Sequence, residues 1–322
     1  MAPAAVRVRV PASTANLGPG FDALGMALDL YARIEMSEAD RTQIDLFGSN
    51  MQGIPTDKTN LIYKVARTLY DHAGLSMPEL SIRMDSDIPL TRGLGSSASA
   101  IVGALAAANA LSGADLPPEE LFQIASGMEK HPDNVGASLF GGIIAAYWDG
   151  REAKHVRIEP HERLEALVAV PAFQLSTELA RRVLPSEVPM KDAVFNIGHS
   201  SLLVAALAAG ELGMIRHAMK DALHQPYRAA LVPGMEKILR EAADHGALGA
   251  ALSGAGPTLI AFADKSEGRQ EELEAFLRET FRAEGIEAET RWLRPSREGV
   301  RVWKTDGRGT VLRGICGRSG IA

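Results

Sequence analysis

The chain has 322 residues, 46% apolar and 23% charged, with a formal net charge of −6. That length predicts two packed domains rather than one core, and the negative balance argues against a sequence-independent grip on nucleic acid, which needs a basic face. A lone cysteine, Cys316, excludes an intrachain disulfide and fits a reducing cytoplasm.

Residues 6–10 alternate Val and Arg as a strand does and lack a signal peptide's apolar core. Residues 11–21 are rich in Pro, Gly, Ser and Asn and read as a functional loop. Strands follow at 28–36 and 43–47, and residues 60–71 carry a helical period, with Leu61, Val65 and Leu69 on one face. Residues 80–84 form a short strand. The apolar stretch 98–111 is about two-thirds of a membrane span, so it reads as a buried helix and no membrane partner is expected. Pro117-Pro118-Glu119-Glu120 opens a helix that should end near Met128. Strands at 143–147 and 154–158 close the first half, and residues 159–162 look like a hinge.

The second half alternates a strand (167–170), helices (191–209 and 235–245), strands (249–252 and 259–262), a helix (270–284) and a strand (287–294). This order predicts an α+β chain with domains at 1–160 and 161–304. Residues 305–322, rich in Gly and Arg without an apolar period, read as a flexible tail.

Six groups of residues carry chemistry that packing alone would not select. The run Pro89-Leu90-Thr91-Arg92-Gly93-Leu94-Gly95-Ser96-Ser97-Ala98-Ser99 offers glycines for close backbone approach, hydroxyls, and a helix whose positive end faces an anion. It is not a Walker A loop, which needs a Lys, nor a dinucleotide fingerprint, whose third glycine is replaced by Ala98. Ser96 is also a plausible N-cap.

Residues 11–22 bring Asn16 and Asp22. Asn60 suits a helix cap or a nucleoside contact. Glu129-Lys130-His131-Pro132-Asp133 holds two carboxylates and an imidazole, a set open to magnesium. Thr177, Arg181 and Arg228 sit in two segments whose arginines suit a carboxylate or phosphate, or plain solvent. Finally, Gly254 lies in a small-residue turn between strands.

Taken in order, PASTANLGPGFD, TNLI, PLTRGLGSSAS, EKHPDN, STELAR, HQPYR and LSGAGPT resemble the GHMP small-molecule kinases, and among them the homoserine kinase family, over roughly residues 5–300. The resemblance implies two domains, each a mostly antiparallel sheet packed with helices, with an active site in the cleft between them. It implies ATP held by Pro89 to Ser99, Asn60 near the base, and Mg2+ on Ser97 and Glu129. L-homoserine would meet Asn16, Asp22, His131, Asp133, Thr177, Arg181, Arg228 and Gly254, the arginines answering its carboxylate and Asp22 or Asp133 its ammonium. Asp133, Glu129 and Ser97 are the residues it marks as catalytic. It further implies phosphorylation of the side-chain hydroxyl, a step in threonine biosynthesis, and a homodimer.

Overall fold

The computed structural model describes residues 5–48, 51–305 and 311–315. Two antiparallel hairpin systems organise the chain. In the first, β1 (Ala5–Asn16) and the 19-residue β2 (Gly20–Glu38) pair along nearly their whole lengths. The second half of β2 pairs β4 (Leu80–Ser86), which carries β3 (Gln43–Phe47) in parallel. The first half of β2 pairs β5 (Ile143–Trp148), which pairs β6 (Ala153–Ile158). One long strand thus holds two sub-sheets apart, and helices fill the space between them.

The central helix α2 (Ser96–Ser112) is buried on every side from Ala98 to Ala108. Its alanines allow close approach: a Cβ at Gly103 would lie 2.7 Å from Ile34 and 3.0 Å from Val10. Around it pack α1 (Leu61–His72), α3 (Pro118–Glu129) and α4 (Asp133–Phe140). Helix α3 starts as its sequence dictates, with Pro in the first turn and Glu119 and Glu120 at the positive end.

The second sheet has the order β10-β7-β9-β8, from β7 (Leu164–Pro171), β8 (Gly249–Leu252), β9 (Leu259–Asp264) and β10 (Ala288–Leu293), all antiparallel. Its core packs α9 (Met235–Glu241) and α10 (Gln270–Ala283), with Phe276, Leu277 and Phe281 buried against the strands. Short helices α5 (Thr177–Arg182), α7 (Ile215–Ala218) and α8 (Gln225–Arg228), and the long α6 (Met190–Ala209), lie in the segment between β7 and β8. The architecture is α+β, as the element order predicts.

Three expectations need correction. The loop read at 11–21 is mostly strand: residues 11–16 are buried throughout, so the alternation that marks a surface strand disappears, and a register shift between Pro11 and Ala12 accommodates the proline. Residues 301–304 do not belong to the second domain, because β11 (Arg301–Thr305) pairs antiparallel with β1 in the first sheet. The described residues of the supposed tail also belong to that sheet, since Thr305 ends β11 and β12 (Val311–Ile315) pairs with it. Repeated Gly and Arg masked a strand that pairs with the one immediately before it. Residues 306–310 and 316–322, including Cys316, lie outside the described residues.

The return of β11 makes the first sheet depend on the chain's last third. Ending the chain at Val300 removes five cross-strand pairs and should destabilise the fold by at least about 3 kcal/mol, at roughly 0.5–1.5 kcal/mol per lost hydrogen bond. Urea unfolding of the truncated and full chains measures the difference; equal midpoints would refute the dependence.

Candidate active site

A cleft of about 710 Å³, its open mouth included, lies where the turn after β1, the glycine loop, the α3–α4 junction, α5, α8 and the β8–β9 turn meet. Five of the six non-glycine residues described with positive φ fall in these segments: Asn16 (71°), Leu17 (48°), Asp22 (54°), Thr91 (52°) and Lys130 (68°). Such conformations cost roughly 1–3 kcal/mol each and persist only where surroundings impose them.

The glycine loop leads into α2 without a side-chain cap. Gly95, not Ser96, occupies the N-cap position, in the left-handed region at φ 70°. Both loop glycines are forced by crowding: a Cβ at Gly93 would sit 2.2 Å from the Ser253 carbonyl oxygen, and one at Gly95 2.2 Å from Ser13 Oγ. With no side chain to satisfy them, the first N–H groups of α2 face the cleft beside Ser96, Ser97 and Ala98, which line it with Thr91, Gly93 and Gly95. That is an anion-binding arrangement.

Other residues of the loop face elsewhere. Leu94 is buried in the core. The Ser99 hydroxyl turns back to donate to the Ser96 carbonyl. Arg92 donates to the carbonyls of Pro171 and Phe173 in the second domain. Pro89 and Leu90 line a separate groove on the far side of the loop, shared with Arg92.

Ser97 Oγ donates to Glu129 Oε1 at 2.5 Å. A hydroxyl and a carboxylate side by side, next to an anion-binding helix end, form a hard oxygen donor set that suits Mg2+ bridging to phosphate. Lys130, in the left-handed region, ends α3 sharply, so Glu129 and Asp133 reach the same cleft from successive helices.

Asp133 is 1% exposed, and its Oδ1 accepts from His131 Nδ1 at 2.7 Å and from the Asn134 amide at 2.7 Å. His131 Nε2 lies 3.5 Å from Glu129. Burial alone would lower the His131 pKa, but the hydrogen bond and charge of Asp133, with Glu129 and Asp22 behind it, raise it to about 9. Asp22, His131 and Asp133 lie close enough to share a metal ion. With the ring protonated, the trio is a cation held between carboxylates.

On the opposite wall, Arg181 makes a bidentate pair with Asp22, at 2.8 and 2.9 Å. Arg228 is 2% exposed and forms no ion pair among the described residues. Its Nε donates to the Ala180 carbonyl at 2.9 Å, and its Nη1 to the Gly254 carbonyl and to His224 Nδ1, both at 3.1 Å. Burial lowers its pKa to about 10, which still leaves it a cation at neutral pH.

Sequence reasoning missed two supports of this arginine. His224, fully buried and pushed down in pKa by desolvation, stays neutral, with Nε2–H donating to the Gly18 carbonyl at 2.8 Å and Nδ1 free to accept from Arg228. Phe21 stacks on His224 and lies beneath both arginines, 5.6 Å from Arg181 and 5.3 Å from Arg228. An aromatic between a Gly-Pro-Gly turn and Asp22 was the available signal.

Two expected contacts turn out to serve the fold. Asn60 caps α1, accepting from the Ile62 amide and donating to the Pro55 carbonyl, and is 1% exposed; it does not line the cleft. Asn16 donates to the Gly254 carbonyl and accepts from the Asp22 amide, so it fastens the β8–β9 turn to the first domain. Thr177 starts α5 and lines the cleft with Gly254.

Residues 60–142 match the GHMP kinases N terminal domain, and residues 203–283 match the GHMP kinases C terminal. The chain is 42% identical over 295 residues to a homoserine kinase of Moorella thermoacetica, covering 92% of this chain and 99% of that one. It is 43% identical over 279 residues to one of Deinococcus radiodurans, covering 87% and 91%. Among solved structures, a homoserine kinase from Cytophaga hutchinsonii superposes with a TM-score of 0.83 at 27% identity, over 92% of this chain and 97% of that one.

The raised His131 pKa makes the fold sensitive to alkali. A group protonated more readily in the folded state gives its full stabilisation below its ordinary pKa, near 6.5, and loses it as pH rises through about 9. Unfolding free energy should therefore fall by about 3 kcal/mol between pH 6 and pH 10, beyond the fall in a His131→Gln variant. Parallel profiles of the two proteins would refute the imidazolium.

Proposed function

The chain belongs to the homoserine kinase family of the GHMP kinases, and on that premise we propose that it transfers the γ-phosphoryl group of ATP to the side-chain hydroxyl of L-homoserine. The hydroxyl oxygen attacks the γ-phosphorus, the bond to the β–γ bridging oxygen breaks, and O-phosphohomoserine and ADP leave. Such transfers depend on alignment and on neutralising phosphate charge. The uncapped start of α2 and the loop amides supply that neutralisation. Ser97 and Glu129, a hydroxyl and a carboxylate side by side, would hold Mg2+, which would supply further charge neutralisation there.

The observation that carries the substrate assignment is Arg228. It is a buried guanidinium whose hydrogen bonds among the described residues go to carbonyls and an imidazole nitrogen, so a substrate carboxylate would be its first ion-pair partner there. A charge-assisted hydrogen bond contributes about 1.5–3 kcal/mol.

The whole cleft supports a zwitterion. Asp22, Glu129 and Asp133 are matched by His131, Arg181 and Arg228, so an amino acid of zero net charge leaves the balance unchanged. Homoserine enters by exchange: its carboxylate takes Arg181 from Asp22, and its ammonium takes Asp22 from Arg181. Superfamily substrates such as mevalonate, shikimate or a sugar have no ammonium with which to complete that exchange. The active species is a homodimer.

Asp133 binds rather than abstracts a proton. Its Oδ1 already accepts from His131 and the Asn134 amide, so a substrate hydroxyl would have to compete with both to hand that oxygen a proton. Asp133→Asn should therefore keep its turnover within about tenfold of wild type at saturating homoserine, against the 10²–10⁴-fold that general-base catalysis contributes. A thousandfold loss of kcat would make it the base.

The assignment is tested by coupled ADP release with Mg-ATP across L-homoserine, L-serine, mevalonate and shikimate. Strong preference for L-homoserine is expected, and Arg228→Leu should weaken homoserine by about 2–5 kcal/mol with ATP affinity nearly intact. Activity confined to a substrate without an ammonium, or equal loss of both ligands in the variant, would overturn it.

A further inference from the structure

Helix α6 is 20 residues long with a mean hydropathy of 1.3, yet only 22% of its apolar window is buried. Met190, Val194, Phe195, Ile197 and Leu202 are exposed by 78, 61, 41, 66 and 37%, and Val188 and Met214 extend the apolar exposure past both ends. Its inner face is anchored by Leu203, Leu207 and Asn196, whose amide spans the Pro19 carbonyl and the Ala222 amide.

At 3.6 residues per turn, the outer face centres on Val194, Gly198, Ser201 and Ala205. Met190 and Ile197 form a ridge on one side, and Phe195 and Leu202 on the other. Gly198 is the informative position. A helical glycine costs about 1 kcal/mol against alanine, and a Cβ there would meet nothing within 4 Å in its own chain.

We propose that this face is where a second copy of the chain docks, with the two α6 helices antiparallel about an axis near Gly198 and Ser201. Each ridge then lies in the small-residue groove of the other helix, and the groove permits close backbone approach. The charges agree: antiparallel pairing sets exposed Lys191, at the helix start, beside the C-terminal end of the facing helix, where Glu211 is exposed, and the helix dipoles oppose.

The helix face alone, about 30 Å by 10 Å, is smaller than the roughly 800 Å² that each partner of a stable interface buries. Val188 and Met214 widen it towards that size. A bilayer fits less well. A helix lying in a membrane surface carries a basic polar face, whereas Lys191 is the only cation in α6 and the chain's net charge is −6. The inference rests on the homodimer proposed above and is independent of the kinase reaction.

The test is sedimentation equilibrium at micromolar concentration. The full chain should weigh twice its 34.4 kDa. Ile197→Glu and Ser201→Arg should each raise the dissociation constant by at least about 30-fold, with far-UV circular dichroism unchanged. Val156→Glu, a control at another exposed apolar residue, should stay dimeric. A wild-type monomer would overturn the homodimer. A dimer indifferent to both α6 variants would keep the homodimer and overturn this face. Flotation with phosphatidylserine vesicles that Ile197→Glu abolishes would give the face to a membrane instead.

Discussion

A buried cation with no ion-pair partner among the described residues organises this molecule. Arg228 is held in place by three uncharged acceptors, and the surrounding architecture delivers each of them. The Ala180 carbonyl is exposed to it within α5, the Gly254 carbonyl by the β8–β9 turn, and the His224 ring nitrogen by a tautomer that Gly18 selects. Burying a guanidinium this way is costly, so the fold is stable only if all three are in position. The Gly254 carbonyl is also the acceptor for Asn16, so the group that steadies the arginine is one of those that join the two sheets. Site and domain interface are one hydrogen-bonded structure.

The same economy governs charge. Asp22 satisfies Arg181, and His131 satisfies Asp133. Asp22, Arg181, His131 and Asp133 are thus paired within the chain, whereas Arg228 is not. The strained backbone at Asn16, Asp22, Thr91 and Lys130 sets these side chains at angles that relaxed turns would not provide.

Much of this was legible in the sequence, and the exceptions share a cause. Strands β3 and β8 and helices α1, α3, α6 and α10 were readable to within a residue or two, because each shows its own period or caps. The clustering of Asn16, Asp22, Ser97, Glu129, His131, Asp133, Thr177, Arg181, Arg228 and Gly254 in one cleft follows motifs whose residue types have little to gain from packing. What stayed hidden depends on partners far along the chain. Residues 11–16 are strand because both faces are covered, β11 is a strand because β1 offers an edge, and Arg92 is spent on carbonyls of the second domain. Local pattern cannot register a neighbour nearly 300 positions away. Asn60 went the other way, since the cap that its local chemistry suggests is the contact it makes.

The pairing of β11 with β1 has a consequence for synthesis. Strand β1 is paired by one made nearly 300 residues later, so while the chain is being translated the outer edge of β1 stands open, with its peptide groups unpaired and its apolar residues already in place. An open edge of that kind invites pairing with other chains, and at roughly 5–20 residues per second the exposure lasts on the order of half a minute. The alternating Arg7 and Arg9 on that edge are the sort of charge that discourages a stranger from adding a strand before the protein's own arrives.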